Sequence, residues 1–235
     1  MANDDALVLY GETLWISPYV LSSYVALREK GVAFRVEEVD LLHLGHRAGS
    51  YPATSVTAKV PALQHGDFWL AESSAIAEYL EEVFPPERHP RLLPGATRDR
   101  ARARQLMAWL RSDLGALRDE RPTTTIFIER ATRPLSKAGE EDAAKLVRVA
   151  TQFLDAGRTT LFGGFSLVDA ELALMLQRLA KNGDPLPAAL HRYADAMWER
   201  PSVAEFVKHS RPSSVPDDYW RTPWNFGPSG APHKP

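Results

Sequence analysis

Two short stretches carry residues whose types and spacing could bind an extended, charged ligand: Lys59-Val60-Pro61-Ala62-Leu63 and Glu72-Ser73-Ser74-Ala75-Ile76-Ala77. Pro61 cannot donate to a sheet ladder, so it belongs at the first residue of a strand or at an edge. With a cis Val60-Pro61 bond, the amide and carbonyl of Val60 turn outward, where a peptide-like molecule can pair with them as an added strand. Ser73 falls where a helix begins, and the unpaired N–H groups and positive dipole end found there suit a carboxylate. Ile76, Leu80 and Val83 recur behind it at helical spacing. Either stretch alone occurs in many folds; their combination and order are more telling.

The residue types that are missing narrow the chemistry further. The 235 residues include no cysteine, which removes disulfides, protein thiolate nucleophiles and Cys-ligated metal together. Any sulfur chemistry must use a thiol that arrives with the ligand. The seven histidines are scattered; only His43 and His46 lie close, in a Gly-containing loop without a carboxylate framework, so no metal site is expected. Lys+Arg 28 against Asp+Glu 30 gives a net charge of −2, a balance that recruits neither nucleic acid nor an anionic membrane. No apolar run approaches a membrane span and Met-Ala-Asn-Asp-Asp-Ala is no signal peptide, so a cytoplasmic location is the expectation.

The elements that must position these stretches can be read in order. Leu7 to Tyr10 reads as a short buried strand broken by Gly11. Ser17-Pro18 is a helix start, with Ser17 as N-cap and Pro18 at N1, where its missing N–H costs nothing. The apolar positions Val20, Leu21, Tyr24, Val25 and Leu27 run to a stop at Lys30-Gly31. Phe34 to Val39 is a second strand, and residues 40–57 a loop with one irregular helical turn. A hairpin follows, Leu63-Gln64-His65 and Phe68-Trp69-Leu70 around Gly66-Asp67, and then the helix that starts at Ser73. This β-α-β-loop-ββ-α order, with a proline opening the third strand, is a thioredoxin-like arrangement.

Strands are then absent. Arg98 to Arg118 reads as one long helix, Ser136 to Ala156 as another, and Ser166 with Asp169 as the capping box of a nearly apolar central helix. Two shorter helices, around residues 187–199 and 202–209, finish the bundle. The expected boundaries are 1–85 for the thioredoxin-like domain, 86–94 for a Pro-rich linker, 95–210 for an all-helical domain and 211–235 for a Pro- and aromatic-rich tail. With Trp220, Trp224 and Phe226 between its prolines, that tail is expected to lie across another surface.

These motifs together resemble the cytosolic glutathione S-transferase family over residues 6–210. Ser17-Pro18-Tyr19-Val20, Arg102-Ala103-Arg104-Gln105, residues 109–114 and Glu120-Arg121-Pro122-Thr123 are similar to its bacterial serine-type, YfcF-like branch. The resemblance implies that glutathione is the co-substrate, with its γ-glutamyl carboxylate at Ser73, its ammonium at Glu72 and its cysteinyl backbone along Val60, which Pro61 presents. Its glycyl carboxylate would meet Lys59, with Arg47 and His46 behind. Ser17 would donate its hydroxyl proton to the sulfur, with Tyr10 as the rival and Thr13 as a distant third.

The implied reaction is transfer of glutathione to a small electrophile, or glutathione-dependent reduction of a peroxide or disulfide. The second substrate would rest on the first helix and the Arg98 to Arg118 helix, near Trp15 and Trp109. A homodimer is implied, with that long helix and the hairpin near Phe68-Trp69 as contacts. The alternative is a protein that keeps the fold without catalysis, as a ligand carrier or assembly module.

Overall fold

The computed structural model describes residues 6–154, 158–217 and 219. Contacts divide the chain into two units, one running to Leu93 and including Pro201–His209, the other formed by Pro94–Arg200 with the residues from Ser210 onward.

In the first unit, β1 (Leu7–Glu12), α1 (Pro18–Lys30) and β2 (Phe34–Val39) form a parallel β-α-β unit. After a 3-10 turn at Gly45–Arg47 and a one-turn helix α2 (Tyr51–Thr54), the hairpin β3 (Ala62–His65) and β4 (Phe68–Ala71) leads into α3 (Ser73–Val83). The sheet order is β2-β1-β3-β4, with β3 antiparallel to β1 and β4 antiparallel to β3. This is a thioredoxin-like four-stranded sheet. Gly66 supplies the left-handed residue of the hairpin turn at φ 61°.

Gly11 does not break β1. The strand continues through it to Glu12, pairing Gly11 with Glu38 and Glu12 with Val39. Its lack of a side chain serves packing instead: a Cβ there would lie 2.8 Å from Val20 Cγ1, so glycine lets the first turn of α1 sit directly on the strand. At the other end of α1, the fully buried Lys30 ammonium donates to Glu81 Oε2 at 2.8 Å and to the Phe84 carbonyl at 2.7 Å. Glu81 Oε1 accepts from the N–H groups of Leu92 and Leu93 at 2.7 and 2.8 Å, so both ionic groups keep partners away from water. The last residues of the stretch read as a linker are thereby tied to α3 and buried.

The second unit is helical: α4 (Thr97–Ser112), α5 (Gly115–Glu120), α6 (Thr124–Phe127), α7 (Lys137–Phe153), α8 (Leu167–Asn182) and α9 (Ala188–Trp198). The single long helix expected from Arg98 to Arg118 is two helices. Leu114 adopts φ 61°, and Asp113 fixes the break by accepting from the Leu114 N–H at 2.8 Å and from Trp109 Nε1 at 2.7 Å. The capping box is present as read: Asp169 Oδ2 accepts from Ser166 N–H at 2.9 Å and Ser166 Oγ at 2.8 Å. Asp169 Oδ1 accepts from Leu161 N–H and the Tyr193 hydroxyl, which ties α8 to α9. Residues 167–179 of α8 are buried without interruption, as expected of a central helix.

The last helix, α10 (Pro201–Val207), does not finish that bundle; it groups with the first unit. Phe206 packs on Tyr24 of α1, Ser202 donates to Glu29, and Arg28 pairs with Glu205. The aromatics on which the docking expectation for the tail rests, Trp220, Trp224 and Phe226, lie outside the described residues.

Candidate active site

Register brings the two binding stretches to one end of the sheet. Tyr10 faces Ala62, and Ala62 faces Ala71. The residues just after Tyr10, just before Ala62 and just after Ala71 therefore share an edge: the β1–α1 loop with Ser17, the Val60-Pro61 pair, and Glu72-Ser73.

The Val60-Pro61 peptide bond is cis. Neither the N–H nor the carbonyl of Val60 has a hydrogen-bond partner among the described residues. Half-buried and unpaired, they are an open strand edge for an extended molecule. The carbonyl of the exposed Lys59 is taken by the Tyr51 hydroxyl at 2.8 Å, which pins this edge to α2. Burial pushes the Tyr51 hydroxyl up to about 12, so it remains a donor at neutral pH.

Glu72 occupies the N-cap position of α3 without a side-chain capping bond, and Ser73 is the first residue of the helix. Glu72 is exposed and sits at φ 72°, a left-handed conformation that costs a side-chain-bearing residue about 1–3 kcal/mol. Ser73 is buried at 4% exposure, at the N-terminal end of the helix dipole. Arg47 is exposed in the 3-10 turn, whereas His46 is buried, which lowers its pKa, as does the neighbouring Arg47 charge.

Ser17 caps α1 in extended conformation, and its Oγ accepts the Val20 N–H at 3.3 Å. A hydroxyl accepts and donates at once, so this bond leaves its proton available. Four N–H positions at the head of a helix have no partner within it. Here Pro18 has no N–H, that of Ser17 goes to Glu12, that of Val20 to Ser17 Oγ, and that of Tyr19 has no acceptor among the described residues.

Glu12 is the residue that sequence reasoning missed. Its side chain, 5% exposed, accepts from Leu14 N–H at 2.7 Å through Oε2, and from Ile16 and Ser17 N–H at 2.6 and 2.7 Å through Oε1. Its backbone carbonyl accepts the Trp15 N–H at 3.2 Å. Burial raises its pKa from 4.5 to about 6, against the lowering effect of the backbone N–H bonds. The available signal was an acidic residue set between a buried strand and the apolar run Leu14-Trp15-Ile16.

Tyr10 donates its hydroxyl to Gln64 Oε1 at 3.0 Å, with its ring 4.7 Å from Trp69 and 5.8 Å from Tyr51. The rival hydroxyl is therefore committed within the sheet. Trp15 is buried at 6% exposure, donates Nε1 to Glu38 at 2.7 Å, and is stacked on His209 at 3.5 Å and 7°. It backs the loop rather than presenting an open face. Trp109, in the second unit, lines a cavity of about 460 Å³ between α4 and α7, with Leu106, Val149 and Phe153 as its apolar walls. Among the described residues no cluster of three or more His, Asp or Glu could hold a metal, and no helix is long and apolar enough to cross a membrane.

Family models for the glutathione S-transferase N-terminal domain and C-terminal domain match residues 16–83 and 96–211. Glutathione S-transferase 3 of Zea mays is 32% identical over 205 residues, covering 82% of this chain and 87% of that protein. The stringent starvation protein A homolog of Coxiella burnetii is 30% identical over 216 residues, covering 84% and 92%. Among solved structures, a glutathione transferase homolog from Burkholderia gl BGR1 with bound glutathione is similar at TM-score 0.71 and 37% identity, over 86% of this chain and 96% of that one. With both domain models matched in order and full-length relatives above 30% identity, the chain belongs to the glutathione S-transferase family.

Proposed function

We propose that this protein is a glutathione-dependent transferase of the bacterial serine-type branch, in which Ser17 holds the glutathione sulfur as a thiolate for attack on a small electrophile. The observation that carries this reading is the Ser17 hydroxyl at the head of α1, its oxygen occupied by the Val20 N–H and its proton uncommitted. A free thiol has a pKa near about 8.5, so only a few per cent is ionised at neutral pH. Lowering it by roughly two units needs about 2.7 kcal/mol of differential stabilisation. One O–H donor, the Tyr19 N–H and the helix dipole together reach that magnitude.

The remaining contacts follow the chemistry of the edge. The cysteinyl backbone of glutathione pairs with the open N–H and carbonyl of Val60, which Pro61 presents. Its γ-glutamyl carboxylate sits at Ser73 and the start of α3, with Glu72 toward the ammonium. Lys59 and Arg47, both exposed cations, are assigned to the glycyl carboxylate. The bond from the Tyr10 hydroxyl to Gln64 favours Ser17 over Tyr10 as the donor to the sulfur. With no cysteine in the chain, a mixed disulfide on the protein is impossible, and reduction of a peroxide or disulfide would proceed through the bound thiolate itself.

Trp109 is kept as the residue assigned to the second substrate; within its own unit it lines a cavity whose walls mix Leu106, Val149 and Phe153 with Arg102, Gln105 and Gln152, while Trp15 supports the loop. A homodimer and a cytoplasmic location belong to the same reading, with the exposed Phe68 of β4 at the contact. The test is Ser17→Ala, assayed for conjugation of a chromogenic aryl halide and titrated with glutathione. Turnover is expected to fall more than about tenfold with little change in glutathione binding. Unchanged turnover refutes the role of Ser17; failure to bind glutathione at millimolar concentration in the unmodified protein favours a non-catalytic role for the fold.

A further inference from the structure

Between the end of β1 and the start of α1 the chain reverses over Thr13–Ile16, and this turn decides where the Ser17 hydroxyl lies. Little in the turn holds it by backbone pairing of its own. Trp15 sits at φ 54°, a conformation that side chains disfavour, so the turn persists only because its surroundings fix it. The hydrogen bonds of its backbone N–H groups all end on one residue. The N–H groups of Leu14, Ile16 and Ser17 all go to the Glu12 carboxylate, and that of Trp15 goes to the Glu12 carbonyl. Four consecutive backbone donors thus converge on Glu12.

We infer that Glu12 is a positioning residue for the thiol site: its buried carboxylate gathers the N–H groups of Leu14, Ile16 and Ser17 and so fixes the hydroxyl assigned to the sulfur. This rests on the role proposed for Ser17. The bond to Ser17 N–H is direct, and the next bond along the chain is that from Val20 to Ser17 Oγ, so the carboxylate sets the orientation of the cap through the residue that carries it. Glu12 also draws the turn's N–H groups inward. The sulfur is left with the Ser17 hydroxyl and the Tyr19 N–H as its donors, which makes activity depend on a single side chain whose placement Glu12 controls.

Alternative supports for the turn come from side chains alone. The Trp15 ring is held by Glu38 and His209, but these fix an indole and not the backbone of residue 17. A buried carboxylate that only stabilised the fold would, when removed, lower the amount of folded protein and leave each folded site as active as before.

The test is a double-mutant cycle of Glu12→Ala with Ser17→Ala, reading kcat, KM for glutathione and the folded fraction by circular dichroism. Glu12→Ala is expected to lower kcat by about tenfold to a hundredfold per folded site, because an ångström of misplacement suffices for such a loss. KM for glutathione stays within about twofold, since Val60, Glu72 and Ser73 are untouched. In the Ser17→Ala background the same substitution changes kcat by less than about twofold, as two residues acting through one group are not additive. Should Glu12→Ala fail to fold, Glu12→Gln, which keeps shape and one acceptor oxygen, carries the cycle. An unchanged kcat at position 12, or full additivity with Ser17→Ala, overturns the inference while leaving Ser17 in place. Unchanged turnover in Ser17→Ala overturns the Ser17 reading itself.

Discussion

Replacing Glu12 by glutamine removes a pH dependence of stability that the unmodified protein must show. The carboxyl titrates at about 6 in the folded protein against 4.5 ordinarily, with burial as the main cause. Between those values the folded state holds more protons than the unfolded one, so stability falls as pH rises through 4.5 to about 6 and is flat with respect to this group on either side. At about 1.4 kcal/mol per pH unit, the ionised carboxylate costs the fold about 2 kcal/mol at neutral pH relative to its protonated form. The three N–H donors offset its desolvation only in part. The assay is urea unfolding of both proteins at intervals from pH 4 to 7.5. Asp169, which burial also raises, titrates alike in both proteins, so the difference between the two curves isolates Glu12. The stability of the unmodified protein should decline by about 2 kcal/mol relative to the Gln variant across that window. Parallel curves, or a relative gain for the unmodified protein with rising pH, would refute the reasoning.

Tyr10→Phe should leave turnover within about twofold, because the hydroxyl it removes serves Gln64; steady-state conjugation kinetics check this, and a large fall would return Tyr10 to the sulfur. Ser73→Ala should raise KM for glutathione by about tenfold or more with kcat retained, the pattern for one lost hydrogen bond to a charged group that is made equally in ground and transition states. Isothermal titration with glutathione gives the same loss directly.

The order of elements, the helix headed by Ser17-Pro18, the hairpin turn at Gly66 and the capping box of α8 were all legible, because each is specified by neighbours in sequence. Features set by distant partners were not. Gly11 reads as a strand breaker until Val20 is seen against it. The break after α4 depends on Asp113, whose partners include Trp109 one turn back and Lys145 on another helix. The last helix has an ordinary amphipathic sequence, and only its contacts with Tyr24, Arg28 and Glu29 assign it to the first unit. In the candidate site, the cis Val60-Pro61 bond and the helix beginning at Ser73 were legible as a pattern. Glu12 was not, because an acidic residue after a glycine reads as part of a solvated turn, and only the fold of residues 13–17 encloses it.

The central claim is that the Ser17 hydroxyl makes the glutathione sulfur anionic. Its most direct test is the pKa of the bound thiol, followed through the ultraviolet absorbance of the thiolate in the unmodified protein and in Ser17→Ala, each saturated with glutathione. The account predicts a pKa roughly two units below the free value of about 8.5 in the unmodified protein, rising by at least about one unit in the variant. Equal values in the two proteins would contradict it.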